Sequence, residues 1–158
     1  MLKYIMIYLT KSPKETEKLA KLFIKKYLKR DNKRATVIAL EGELGAGKTT
    51  FVRGLARELN VRAKIKSPTF TLMKKYSISS SKNYQLPISS FKFLYHLDCY
   101  RLRDHRDLKI LGMEEILNDP GNIVLVEWSE RVKKILLRNH IKVHIDHISK
   151  NERKITIK

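Results

Sequence analysis

The chain has 158 residues, 42% of them hydrophobic, which suits one compact domain with its own core and calls for no second one. Its single cysteine, Cys99, excludes an intramolecular disulfide, and no Cys/His spacing matches a structural zinc site, so a reducing cytoplasm is the expected compartment. Thirty-four Lys and Arg against sixteen Asp and Glu give +18, a field that draws RNA, acidic proteins or anionic surfaces unless it is only a scattered, Lys-rich solvated face.

Met1 to Leu9 is apolar, but Lys3 interrupts it and no cleavage pattern follows, so it does not read as a signal peptide. No run approaches the roughly 20 apolar residues that span a bilayer, and a soluble protein without a membrane role is expected. Tyr4 to Leu9 reads as a short strand. Ser12-Pro13-Lys14-Glu15 then supplies an N-cap serine, a first-turn proline and the Glu of a capping box, so a helix starts there. Leu19, Ala20, Phe23, Ile24, Tyr27 and Leu28 form its core stripe, with lysines on the other side and Asp31-Asn32 closing it. Thr36 to Leu40 is a β-branched apolar run of the kind a buried parallel strand shows. After a glycine-rich stretch, Phe51, Val52, Leu55, Ala56 and Leu59 define a second helix ending near Asn60.

Thr69 to Tyr76 reads as extended and Ser77 to Ser90 as a mobile, Ser-rich loop. Phe91 to Leu97 is a strand ending at Asp98, Leu108 to Leu117 holds a short helix, Pro120-Gly121 turns, and Ile123 to Val126 is a strand. Ser129 to Leu137 is expected to be helical, and Ile141 to Ile148 with Lys154 to Ile157 to form a hairpin. The expected fold is a single α/β domain over 1–158, P-loop NTPase-like, with a mostly parallel central sheet flanked by helices on both faces and antiparallel C-terminal strands.

The segment Gly42-Glu43-Leu44-Gly45-Ala46-Gly47-Lys48-Thr49 matches G-x-x-x-x-G-K-[ST] at every fixed position, between a buried strand and an amphipathic helix. Glycines let the backbone turn its N–H groups toward phosphate oxygens, and the helix adds the positive end of its dipole. Lys48 would reach the β- and γ-phosphates of ATP, and the Thr49 hydroxyl would ligate Mg²⁺. Such a cradle needs a carboxylate at a neighbouring strand end, and both Asp98 and Glu127 follow apolar runs; spacing does not decide between them. Ser67-Pro68-Thr69 is either a phosphate-sensing loop or only a turn before a strand. Trp128 is a packing residue or a contact for a partner. His140 and His144 share a strand face while His147 points away, so the three do not meet one ion, and Cys99 lacks the His partner of a nucleophile.

Four ordered motifs carry a resemblance. They are Glu41 to Phe51, then Ser67-Pro68-Thr69-Phe70-Thr71-Leu72, then His96-Leu97-Asp98-Cys99-Tyr100-Arg101-Leu102, then Val126-Glu127-Trp128. Together they resemble the bacterial TsaE family, formerly called YjeE. Ser12 to Thr16 resembles the family's opening helix, and Arg153 its arginine before the last strand.

The resemblance implies a weak ATPase that assists the TsaD and TsaB proteins in forming threonylcarbamoyladenosine at adenosine 37 of tRNA, without transferring the threonylcarbamoyl group itself. It implies that Gly45, Ala46, Gly47, Lys48, Thr49 and Thr50 bind ATP. Thr49 and Glu127 would hold Mg²⁺, with Asp98 beside the metal or its attacking water. Ser67 and Thr69 would form a switch-like loop, and Trp128 and Arg153 would approach the nucleotide. Contact with tRNA is indirect on this reading, with the basic surface a route to direct contact. The stretch 77–90 appears longer than the family's usual connection, and +18 is unusually basic for it. The alternatives are a small P-loop kinase, with Arg101, Arg103 and Arg106 imitating a phosphate lid, and an RNA-binding module resting on charge alone.

Overall fold

The structure, a computed structural model, describes residues 5–28, 33–79, 90–103, 106–134, 136 and 139–158. The expected closing pair Asp31-Asn32 and most of the 77–90 loop lie outside them, and of that loop Ser77 ends a strand.

The first strand, β1 (Met6–Thr10), leads to α1 (Pro13–Tyr27), where the Ser12 hydroxyl accepts the Glu15 N–H and the Glu15 carboxylate accepts the Lys11 N–H. Next come β2 (Thr36–Glu41) and α2 (Lys48–Glu58). They are followed by β3 (Met73–Ser77), β4 (Phe93–Asp98), α3 (Asp107–Ile110) and α4 (Met113–Asn118). The chain continues through β5 (Asn122–Glu127), a 3-10 turn (Ser129–Val132), β6 (Ile141–His147) and β7 (Arg153–Ile157).

Seven strands form one mixed sheet in the order β1-β7-β6-β2-β5-β4-β3. The four central strands β6, β2, β5 and β4 run parallel, while β1 on β7, β7 on β6 and β3 on β4 are antiparallel. The ladders divide evenly between the two kinds, so the sheet is less parallel than the sequence suggests. The reason is local for the tail: β7 follows β6 through a short described turn, and such a hairpin needs no helical crossover of the kind a parallel connection requires. Alternation along each central strand feeds two cores. Ile38, Leu40, Ile123 and Leu125 face α1 and α2, whereas Val37, Leu97, Val124 and Val126 face Leu108, Met113 and Leu117 of the short helices.

Three further expectations are corrected. Residues 69–72 turn instead of extending: the Thr71 N–H donates to the Pro68 carbonyl, Leu72 takes a left-handed φ of 62°, and its carbonyl accepts the Asp98 N–H. The 108–117 stretch holds two short helices and not one, because Gly112 adopts φ 68° between them. Of the helix expected over 129–137, the described residues keep the single turn Ser129–Val132, which lacks a capping side chain and sets Val132 and part of Leu136 into the second core, while Ile135 and Leu137 lie outside the described residues.

Candidate nucleotide site

The loop between β2 and α2 crosses the C-terminal edge of the parallel strands. Gly42 enters it at φ 141°, and a Cβ there would overlap the Ile145 carbonyl oxygen of β6, so no other residue fits. Gly45 and Gly47 also have positive φ, 77° and 104°. Gly47 caps α2 without any side-chain hydrogen bond, so the first N–H groups of this 11-residue helix stay available to an anion. Ala46 is buried and Thr50 is half-buried on the first turn of α2.

Lys48 lies along the loop. Its ammonium donates to the carbonyls of Gly42 (2.7 Å) and Glu43 (2.8 Å) and stands 4.2 Å from the centre of the Trp128 ring. Burial pushes it below the ordinary lysine value, against the opposing pull of Glu127, Glu130 and Asp98. Trp128 holds a left-handed φ of 58° and packs against Tyr100, with ring centres 5.0 Å apart. Arg153 approaches from the other side, donating from Nε to the Ala46 carbonyl at 2.8 Å and from a terminal nitrogen to the Ser149 and Glu152 carbonyls. An open cleft of about 460 Å³ adjoins Gly42, Glu43 and Trp128.

The two strand-end carboxylates are register partners on β4 and β5 but have different companions. Glu127 Oε1 accepts the Thr49 hydroxyl at 3.1 Å, across 78 positions of sequence, and the His96 Nε2–H at 2.7 Å. Asp98 Oδ2 accepts the hydroxyls of Thr69 (2.6 Å) and Ser67 (3.0 Å), and its Oδ1 accepts the Tyr100 N–H. All of the expected loop, carboxylate, switch and tail residues therefore collect at one sheet edge, with Glu127 joined to the loop and Asp98 to the 67–69 segment. Of the arginines considered for a lid, Arg101 stacks on the exposed Phe70 ring at 4.4 Å.

Sequence reading missed His96 as a site residue. It is wholly buried, its Nδ1 has no partner among the described residues, and its Nε2 faces the Glu127 carboxylate, so that nitrogen is the donor of the pair. The available signal was a histidine inside the apolar run Phe93 to Leu97, two residues before Asp98 and so on the same strand face. Cys99 is buried, and burial, with Asp98 and Glu130 nearby, pushes its thiol up to about 12, in keeping with a structural role. His144 bonds to Asp146 and Glu41. Burial pushes Glu41 up, but Lys142 and His144 together hold it below the usual carboxylate range.

A family model described as "Threonylcarbamoyl adenosine biosynthesis protein TsaE" matches residues 10–155. The chain belongs to the TsaE family. The tRNA threonylcarbamoyladenosine biosynthesis protein TsaE of Haemophilus influenzae is 36% identical over 130 residues, 82% of this chain and 75% of that protein. The Bacillus subtilis TsaE is 36% identical over 147 residues, 93% of this chain and 81% of its own length. The crystal structure of Bacillus subtilis YdiB superposes with a TM-score of 0.71 at 30% identity, covering 99% of this chain and 86% of that one. The TsaE match thus spans the loop, both carboxylates and Arg153.

The residues present fit a magnesium nucleotide. The helix start offers N–H donors to phosphate, and the Thr49–Glu127 pair offers one hydroxyl and one carboxylate. Mg²⁺ is an ion commonly bound through one or two carboxylates plus substrate phosphates, and Glu127 beside Thr49 supplies such a carboxylate.

Proposed function

We propose that this TsaE-family chain is a P-loop ATPase of tRNA threonylcarbamoyladenosine biosynthesis, acting in the cytoplasm on a TsaD–TsaB complex by conformational coupling and transferring no threonylcarbamoyl group itself. The observation that carries the reading is the Thr49–Glu127 hydrogen bond, which unites the loop hydroxyl and the strand-end carboxylate that Mg²⁺ binding requires. Bound magnesium would supply charge neutralisation for the phosphates. The chain's own residues do the remainder. Lys48 and the first N–H groups of α2 bind phosphate oxygens, and Glu127, oriented by His96, holds the metal side.

Asp98 links this chemistry to movement. Its carboxylate holds Ser67 and Thr69, whose loop carries Phe70 at 85% exposure, and Leu44 at the loop tip is 78% exposed. Large apolar side chains exposed around a nucleotide site favour a protein that covers it. A γ-phosphate that accepts the Ser67 or Thr69 hydroxyl in place of Asp98 would reset this rim, and hydrolysis would release it.

The test is product analysis with labelled ATP, for the chain alone and with TsaD and TsaB. Slow release of inorganic phosphate, lost in Lys48→Ala and Glu127→Gln, is expected. Transfer of the γ-phosphate to a nucleoside or metabolite would instead make the chain a small kinase and overturn the reading.

A further inference from the structure

The positive charge has a focus. Helices α1 and α2 pack side by side in opposite directions: Phe23 meets Phe51 with ring centres 5.4 Å apart, Arg57 reaches Glu17 at 2.8 Å, and Gly54 lies against the backbone of Glu17. Their outer faces therefore form one layer. All five lysines of α1 are exposed on it, as are Arg53 and Arg57 of α2, and the segment that follows adds exposed Arg62, Lys64 and Lys66. Only Glu15, Glu17 and Glu58 oppose these ten cations.

At the C-terminal end of α2 the layer is indented by a cavity of about 610 Å³. Arg53, Arg57, Asn60 and Lys64 supply its polar lining, and no carboxylate does. The Arg53 guanidinium, the Lys64 ammonium and the Arg57 and Asn60 N–H donors not taken by Glu17 and the Ser79 carbonyl suit the oxygens of a phosphodiester. A protein partner fits less well, because a protein interface needs an apolar or aromatic centre, and Leu22, 57% exposed, is the one large apolar side chain that α1 and α2 expose.

We propose that the α1–α2 layer, centred on the Arg53–Arg57–Lys64 cavity, binds the phosphate backbone of RNA, so that the chain touches tRNA directly. The inference rests on surface chemistry and not on the ATP reading, so each can fail alone.

The test is fluorescence anisotropy of labelled, unmodified tRNA with the full chain over a range of KCl concentrations. Arg53→Gln/Arg57→Gln/Lys64→Gln is compared with Lys92→Gln/Lys133→Gln/Lys134→Gln, which removes the same charge from exposed sites elsewhere. Loss of three phosphate contacts lowers the slope of log affinity against log salt by about 2.7 and the affinity by roughly 100-fold near physiological salt. The layer variant should show this and the control should stay within about threefold of wild type. If the layer variant does not fold, as judged by its melting curve, Lys18→Gln/Lys21→Gln/Lys25→Gln takes its place. Equal losses in both variants, no loss in either, or binding of polyglutamate as tight as that of tRNA would overturn the proposal. Nucleotide-dependent Trp128 fluorescence, unchanged in the layer variant, keeps the result separate from the ATP site.

Discussion

Gly54 sits in the middle of α2, where helix propensity alone recommends alanine by about 1 kcal/mol. A Cβ at Gly54 would stand 2.5 Å from the Glu17 carbonyl oxygen, 2.7 Å from the Glu17 Cα and 3.0 Å from the Ala20 Cβ. Carbon pairs pack best at about 3.5–4.0 Å, so α1 has to move off by about 1 Å, and it can do so only by opening the Phe23–Phe51 contact beneath it. Overpacking of this kind costs about 1–3 kcal/mol. The clash wins over the propensity gain, and Gly54→Ala should lose about 1–2 kcal/mol. For a chain of 158 residues that lowers the melting temperature by about 3–6 °C, readable by circular dichroism or calorimetry. The displacement also reaches the site, because α2 begins at Lys48 and Thr49. A variant melting at or above the wild-type temperature would refute the close-packed helix pair and leave propensity as the governing term.

Three other outcomes follow from the site. His96→Phe keeps bulk but deprives Glu127 of its Nε2–H donor, so the Mg²⁺ concentration needed for the nucleotide response of Trp128 should rise at least about tenfold, with His96→Gln recovering part of it. Cys99 has a thiol raised to about 12 from an ordinary 9.0, so the fold favours the protonated form. Its contribution is complete below pH 9 and is lost as pH climbs from 9 toward 12, by up to about 1.4 kcal/mol per unit. Cys99→Ala should flatten the alkaline stability curve, and the native thiol should resist alkylation at pH 8. Asp98→Asn weakens the acceptor for Ser67 and Thr69, and proteolysis within 66–72 should accelerate severalfold while the melting temperature changes little; an unchanged cleavage rate would mean that Asp98 does not hold the loop.

Much of the site was legible because its residues are bound to local rules. The Gly42 to Thr49 spacing demands a strand before it and a helix after it, and both are there. The capping residues Ser12 to Glu15 placed the start of α1 to the residue, whereas the helix ends at Tyr27, with Leu28 already extended, ahead of the Asp31-Asn32 expected to close it. What sequence could not supply was pairing across distance. The contact of Thr49 with Glu127, against that of Asp98 with Ser67 and Thr69, depends on which strand lies beside β2, and spacing is silent on strand order. Residues 69–72 misled for a related reason: hydroxyls drawn to a distant carboxylate curl a segment whose composition reads as extended. Among the described residues of 129–137 only a single turn forms, because a helical stripe such as Val132 and Leu136 can also be buried by one turn on a sheet. His96 was overlooked because a polar residue within an apolar strand gains its meaning only from the neighbour it faces.

The most direct measurement is a reconstitution of TsaD, TsaB, tRNA and a preformed, activated threonylcarbamoyl donor with this chain, counting modified adenosines formed per complex. With wild-type chain and ATP the count should pass well beyond one, and with Glu127→Gln, or with a non-hydrolysable ATP analogue, it should stop near one. Sustained turnover with Glu127→Gln would contradict ATP-driven coupling through the Thr49–Glu127 site.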